Sequence, residues 1–280
     1  MKNKQLISKN IDTFYTRASE ETRLEKGMGV FEFERIKYLI KKYILKSSPI
    51  RILDIGGGTG KYAEWLAEQG HQVCLIDPVI KHVNIAKNRS AALKNKFSVH
   101  LGEARKLDFP NNFADLVILH GPLYHLQKRE DRCLAIKEAK RVLKNDGIIL
   151  GFAINSTAST IVGLLQGWIH KDSFFEMCKK ELTTGAHHPP YDFPWLLAQA
   201  YYHRPDELKK EFACQGLTNL NIYAVEGMSW LDGNFFSNMR HKQNKQTLMQ
   251  LLTMTENDEY LLPFSPHIMI AVQKQDNNEQ

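Results

Sequence analysis

The ten residues Arg51-Ile-Leu-Asp-Ile-Gly-Gly-Gly-Thr-Gly60 limit the possible folds most, because a short aliphatic run ends in four glycines within five positions. A buried strand that stops at glycines and opens a helix aims backbone N–H groups and a helix N-terminus at whatever lies beyond it. Side chains are excluded, so a ligand approaches the main chain. Three ligand classes use such a turn. A triphosphate loop requires Ser or Thr after the lysine, yet Lys61 is followed by Tyr62, so that class fails. A dinucleotide fingerprint survives in Gly58-x-Gly60 with Ala63 at its last place. The pattern that fits without adjustment is an acid followed by alternating glycines, Asp54-x-Gly56-x-Gly58-x-Gly60.

Around the turn, strand-like and helix-like segments alternate. Helical spacing runs over 30–46 until Ser47-Ser48-Pro49 breaks it, and again over 61–69, 79–93 and 128–143. Aliphatic runs at 50–55, 72–76, 97–101, 116–119 and 148–154 read as strands, the last preceded by a turn at Asn145-Asp146-Gly147. This alternation predicts a mostly parallel sheet with helices on both faces. The rhythm breaks over 155–200, where an apolar helix at 160–169 and an aromatic loop predict an inserted cap. A helix opening at Arg204-Pro205, a strand at 217–225, a second helical insertion at about 228–260 and a strand at 267–274 complete the chain before a polar tail.

Composition excludes several function classes. With 43% hydrophobic and 24% charged residues, the 280-residue chain is ordinary for a soluble domain with one core. Cys74, Cys133, Cys178 and Cys214 form no C-x-x-C pair, which argues against a zinc knuckle or a disulfide framework and for reduced thiols in the cytoplasm. The basic N-terminal residues lack the apolar run of a leader, and no segment is long enough to span a membrane. The net charge of +6 is scattered along helix faces without interleaved aromatics, so nucleic acid is not the expected partner.

Read together, the motifs resemble those of the class I S-adenosylmethionine-dependent methyltransferases. The glycine pattern is followed by Asp77 at the end of the next strand, by Gly102-Glu103-Ala104 after the third, and by His120-Gly-Pro-Leu-Tyr-His-Leu126 after the fourth. "AIKEAKRVLKNDGIILG" then resembles the family's helix and turn, so the likeness spans about 51–151. "GPLYHL" and Tyr201-Tyr-His-Arg-Pro205 are also similar to a bacterial small-molecule subgroup. The resemblance implies a Rossmann-like seven-stranded sheet whose last strand inserts antiparallel, with S-adenosylmethionine as cofactor. It implies a lid and binding core over 1–154, a cap over 155–200 and the remainder of the core over 201–280. Asp54, Gly56, Gly58, Gly60, Asp77, Glu103, Ala104, His120 and the lid residue Tyr15 are the implied cofactor contacts. Asp54 would engage the ammonium or brace the turn, and Asp77 would accept the ribose hydroxyls. Arg105 and Lys106 read as a solvated turn.

Methyl transfer from a sulfonium is an in-line displacement that needs alignment and, for a protonated nucleophile, a base. Tyr124, His125 and His120 are the catalytic candidates, with His125 considered as a base because imidazole titrates near neutrality. Tyr124, Trp195, Tyr202 and His203 are the candidate substrate contacts, suited to a small apolar or aromatic molecule methylated at N, O or S. Adjacent His187 and His188 lack an acid or third ligand at a persuasive spacing, so no metal is expected. The alternatives are an NAD-dependent oxidoreductase and a non-catalytic S-adenosylmethionine sensor.

Overall fold

A computed structural model describes residues 6–18, 20–44 and 49–275. The Ser47-Ser48 break and the polar tail beyond Gln275 lie outside the described residues. The strands are β1 (Arg51–Ile55), β2 (Gln72–Asp77), β3 (Ser98–Leu101), β4 (Ala114–Leu119), β5 (Leu143–Ile154), β6 (Ala186–His187), β7 (Ala200–Tyr201), β8 (Thr218–Ala224) and β9 (His267–Gln273). The helices are α1 (Lys9–Arg17), α2 (Met28–Lys41), α3 (Lys61–Glu68), α4 (Ile80–Ala91), α5 (Pro122–His125), α6 (Arg129–Val142), α7 (Ala158–Gln166), α8 (Asp172–Thr184), α9 (Pro205–Ala213), α10 (Phe235–Asn238) and α11 (Lys242–Thr255).

Seven strands form one sheet in the order β3-β2-β1-β4-β5-β9-β8. The first five run parallel, and β9 inserts antiparallel between β5 and β8, as the resemblance implied. The aliphatic runs of β1 and β4 are buried on both faces, which explains why they do not alternate with polar residues. Helices α2, α3 and α4 send Leu39, Leu66 and Ala86 into one face, while α6 and α9 cover the other with Ile136 and Phe212. Each such Leu, Ile or Phe contributes about 1.5–3 kcal/mol by burial, so the sheet stabilises the fold and leaves the turns free for other work. The strand order reverses between the parallel neighbours β1 and β4, and the crevice beyond their C-terminal ends is where such sheets take ligands.

Two details depart from the sequence reading. The 145–147 turn is absorbed into β5 as an irregularity, with Asp146 at φ 60° and the β4 register shifting between Ala114 and Leu116. The predicted helix at 160–169 is α7 followed by a short 3-10 turn at Trp168–His170, because Gly167 at φ 70° ends it. Between β5 and α9, α7 and α8 pack through Phe174, Met177 and Cys178 onto Phe193, with the β6–β7 ribbon beside them. The 228–260 excursion is anchored by Leu248 and Leu252 and by an ion pair from fully buried Arg35 to Glu256.

Candidate functional site

A cavity of about 450 Å³, within the range of small-molecule sites, opens at the reversal point. Its floor is the turn after β1 and the loop after β4. Gly56 and Gly58 hold φ of 74° and 56°, where a side chain is strained. A Cβ on Gly56 would strike the Gly121 nitrogen and Pro122 at 2.9 Å, whereas one on Gly58 would meet nothing within 4 Å. Gly56 therefore lets the β1 and β4 loops touch, and Gly58 borders open space.

Asp77 braces this floor. One of its carboxylate oxygens accepts the Gly58 N–H at 2.9 Å, and the other accepts Val79 N–H at 2.9 Å and lies 3.3 Å from His82 Nδ1. Glu103 and Ala104 also line the cavity, but Glu103 is tied to Arg105, whose Nε donates to it at 2.7 Å. Arg105 reaches on to Asp131 and to the Leu6 carbonyl, so it fastens the N-terminal segment instead of lying in a solvated turn.

Two implied cofactor contacts do not reach the cavity. Asp54 is fully buried beneath it and accepts a hydrogen bond from His120 Nδ1 at 2.8 Å. Gly60, at φ 85°, caps α3 and faces inward, where a Cβ would meet the Phe97 ring at 3.0 Å. The acid and last glycine of the pattern shape the turn from behind. His120 carries the polar face into the cavity, its ring stacked between Tyr62 at 4.4 Å and Phe152 at 4.7 Å.

Tyr15, from α1, lies over the cavity and bonds His125 Nε2 at 2.7 Å. Burial pushes both the Tyr15 and Tyr124 phenols up, so each stays protonated. Burial, helped by His82, lowers His125 to about 3. Its ring stays neutral and is already paired with Tyr15 through Nε2, which corrects the expectation of a base titrating near neutrality. His125 Nδ1, His120 Nε2, His82 Nε2 and the Tyr62 hydroxyl are buried without a hydrogen-bond partner among the described residues.

Beyond Tyr124 the wall turns apolar, with Ile154, Ala158, Val162, Leu197 and Tyr202. Tyr202 stacks flat on His187 at 4.5 Å, and His187 is held by Glu181 at 2.5 Å. Trp195 and His203 lie elsewhere. Trp195 covers the outside of the Phe174–Phe193 cluster, 62% exposed, because Phe193 and Trp168 occupy the inner layer. His203 is fully buried against Glu211 and ties the chain after β7 to the end of β5 through its N–H to the Ile154 carbonyl.

The sequence reading missed a charged wall of Arg23, Glu32 and His267, backed by buried Glu226. Arg23 spans Glu20 and Glu32, and His267 Nδ1 donates to Glu226 at 2.7 Å. Burial works to lower His267, but Glu226 and then Glu32 outweigh it and raise it to about 9. The metal-binding atoms of Glu32, Glu226 and His267 lie within 4.8 Å of one another. Arg23 and the His267 proton already neutralise those carboxylates, which suits an ion-pair network better than a metal. These residues come from distant segments with no shared motif.

Residues 53–151 match the family described as a methyltransferase domain. The chain carries a class I S-adenosylmethionine-dependent methyltransferase domain. An uncharacterised methyltransferase of Mycobacterium bovis is 29% identical over 52% of this chain and 55% of its own length, so the match spans about half of that relative. A ubiquinone/menaquinone biosynthesis C-methyltransferase of Azotobacter vinelandii is 24% identical over 76% of this chain and 90% of its own. A solved Listeria monocytogenes structure, described as a putative S-adenosylmethionine-dependent methyltransferase, superposes with a TM-score of 0.59 at 15% identity, covering 88% of this chain and all of that one. The open space above Gly58, the polar floor and the unpartnered nitrogens of the methyltransferase domain fit an adenosyl amino acid, which offers hydroxyl, amine and carboxylate partners. Among the described residues no helix is long and apolar enough to cross a membrane.

Proposed function

We propose that this chain binds S-adenosylmethionine along the glycine turn and transfers a methyl group to a small, largely apolar acceptor beneath residues 155–200. The observation that carries this reading is the division of one cavity into a polar floor, from Gly56 to Glu103, and an apolar end, from Tyr124 to Tyr202. Asp77 with His82 would take the ribose hydroxyls, Glu103 and Ala104 the adenine edge, and Gly56 and Gly58 the close approach of the amino acid part. Tyr15 would cover the donor.

When bound, S-adenosylmethionine supplies an electrophilic methyl group on a sulfonium. The chain's own contribution is then alignment and exclusion of water, worth several powers of ten in rate when the reacting atoms are held near 3–3.5 Å. Tyr124 and Tyr202, protonated by burial, can donate hydrogen bonds to an acceptor without competing as nucleophiles. The acceptor atom is N, O or S. The name of the Azotobacter vinelandii relative adds an activated carbon as a second reading, and the apolar end suits it equally.

Calorimetric titration with S-adenosylmethionine, S-adenosylhomocysteine and NAD tests the donor assignment. Binding of both sulfur ligands and not NAD is expected, and binding of NAD alone would overturn it in favour of an oxidoreductase. Transfer of isotopically labelled methyl to members of a phenol, amine, thiol and quinol panel separates an enzyme from a sensor, which would transfer none.

A further inference from the structure

We propose that His120 is the proton acceptor of the methyl transfer and that Asp54 positions it, an inference that rests on the methyltransferase reading above. The Asp54 carboxylate can only accept, so His120 Nδ1, 2.8 Å away, is the nitrogen that carries the proton. The neutral ring then presents its lone pair at Nε2. That atom is buried and unpartnered among the described residues, and His120 lines the cavity. Stacking between Tyr62 and Phe152, both within 20° of parallel, fixes the plane of the ring.

The position of this nitrogen along the cavity decides its role. His120 directly follows β4, and its main chain bonds the Ile55 carbonyl beside the glycine turn. Its ring bridges Tyr62 on α3, at the polar floor, and Phe152 on β5, at the start of the apolar end. The imidazole thus stands at the seam where donor and acceptor would meet. A base backed by a third group that sets its tautomer is the arrangement that general-base catalysis uses. In the step, a bond forms between the acceptor atom and the methyl carbon, and the carbon–sulfur bond breaks with its electron pair left on sulfur. The proton on the acceptor atom passes to His120 Nε2, and Asp54 balances the imidazolium. The acceptor class is therefore one with an ionisable N–H, O–H, S–H or activated C–H.

Sinefungin, in which an amine-bearing carbon replaces the methylated sulfur, places an N–H donor at the reacting centre, whereas S-adenosylhomocysteine has none there. Both keep the same amino acid and adenosine parts. In His120→Asn, which retains a donor toward Asp54, sinefungin affinity should fall about tenfold to a hundredfold, as for loss of a charged hydrogen bond, with S-adenosylhomocysteine changed less than about threefold. Equal losses for both ligands would make His120 a contact to the amino acid part and overturn the proposal, as would no loss for either. Failure of the wild-type protein to bind either ligand would instead remove the methyltransferase reading. For Asp54, ¹⁵N-histidine spectra of the wild type should show a deshielded Nδ1 proton and a bare Nε2. Asp54→Ala and Asp54→Asn should both lose that deshielded proton while S-adenosylhomocysteine binding reports that they fold. Its retention in either folded variant, or a wild-type ring protonated at Nε2 alone, would overturn the positioning role.

Discussion

His125 and His267 face one cavity with opposite protonation habits, and the pH dependence of stability follows from the difference. His267 is raised from 6.5 to about 9 by Glu226 and Glu32, against the opposing effect of burial. Its folded form holds the proton more tightly than the unfolded chain, so its contribution is complete below pH 6.5 and disappears as pH rises to about 9. With roughly a third of its side chain exposed, screening keeps that contribution modest. His125, lowered to about 3 by burial, behaves the other way, costing stability as pH falls from 6.5 toward 3 while the unfolded chain takes up a proton first. Urea unfolding across the pH range should therefore show an alkaline decline in the wild type that His267→Gln flattens, and an acid decline that His125→Phe makes shallower. Identical alkaline slopes for wild type and His267→Gln would mean that the Glu226 pair does not hold the proton.

At the scale of elements, the glycine turn combines two jobs that the letters "GGGTG" do not distinguish. Gly60 and Gly58 share a left-handed conformation, but Gly60 is enclosed by Phe97 and Ala86 while Gly58 borders open space on the cavity floor. Gly60→Ala should therefore lower stability by about 1–2 kcal/mol through strain and crowding and leave donor affinity nearly intact. Gly58→Ala should cost about 1 kcal/mol for the strain and weaken S-adenosylhomocysteine binding about tenfold or more, because its methyl enters the ligand's space. Thermal unfolding and calorimetry on the pair check this, and equal affinity losses would refute the division. The alternation of strands and helices was legible because continuous aliphatic runs are local signals, and the antiparallel β9 was implied by the family resemblance that the motifs carried. The facing of Asp54 and Gly60 was not, since both are set by which neighbours fill the space behind the turn. Arg105 shows the same limit, as nothing near it in sequence announces Asp131 or Leu6 as partners. His203 and Trp195 were misread because an aromatic segment of this composition packs against its neighbours as readily as it lines a pocket.

Across the whole molecule, the roof of the cavity is held far more lightly than its floor. Only Ile11 of α1 is buried, and the segment is fastened by polar contacts: Lys81 to the Thr16 and Ala18 carbonyls at 3.1 and 3.0 Å, Arg105 to Leu6, and Tyr15 to His125. The floor strands are buried on both faces, so they open only with global unfolding, whereas α1 has little apolar area to lose on lifting. A ligand lying between the glycine turn and Phe14 and Tyr15 adds contacts only to the closed form. At a hundred times its dissociation constant it favours that form by about 2.7 kcal/mol, or roughly a hundredfold. Hydrogen exchange should then slow in the amides of α1 by up to about a hundredfold on saturation with S-adenosylhomocysteine, by markedly more than in β4 or α6. Lys81→Ala should raise exchange of α1 in the free protein while leaving those core amides unchanged. If α1 exchanges at the same rate with and without ligand, the segment is a fixed wall and not a cover that closes on the ligand.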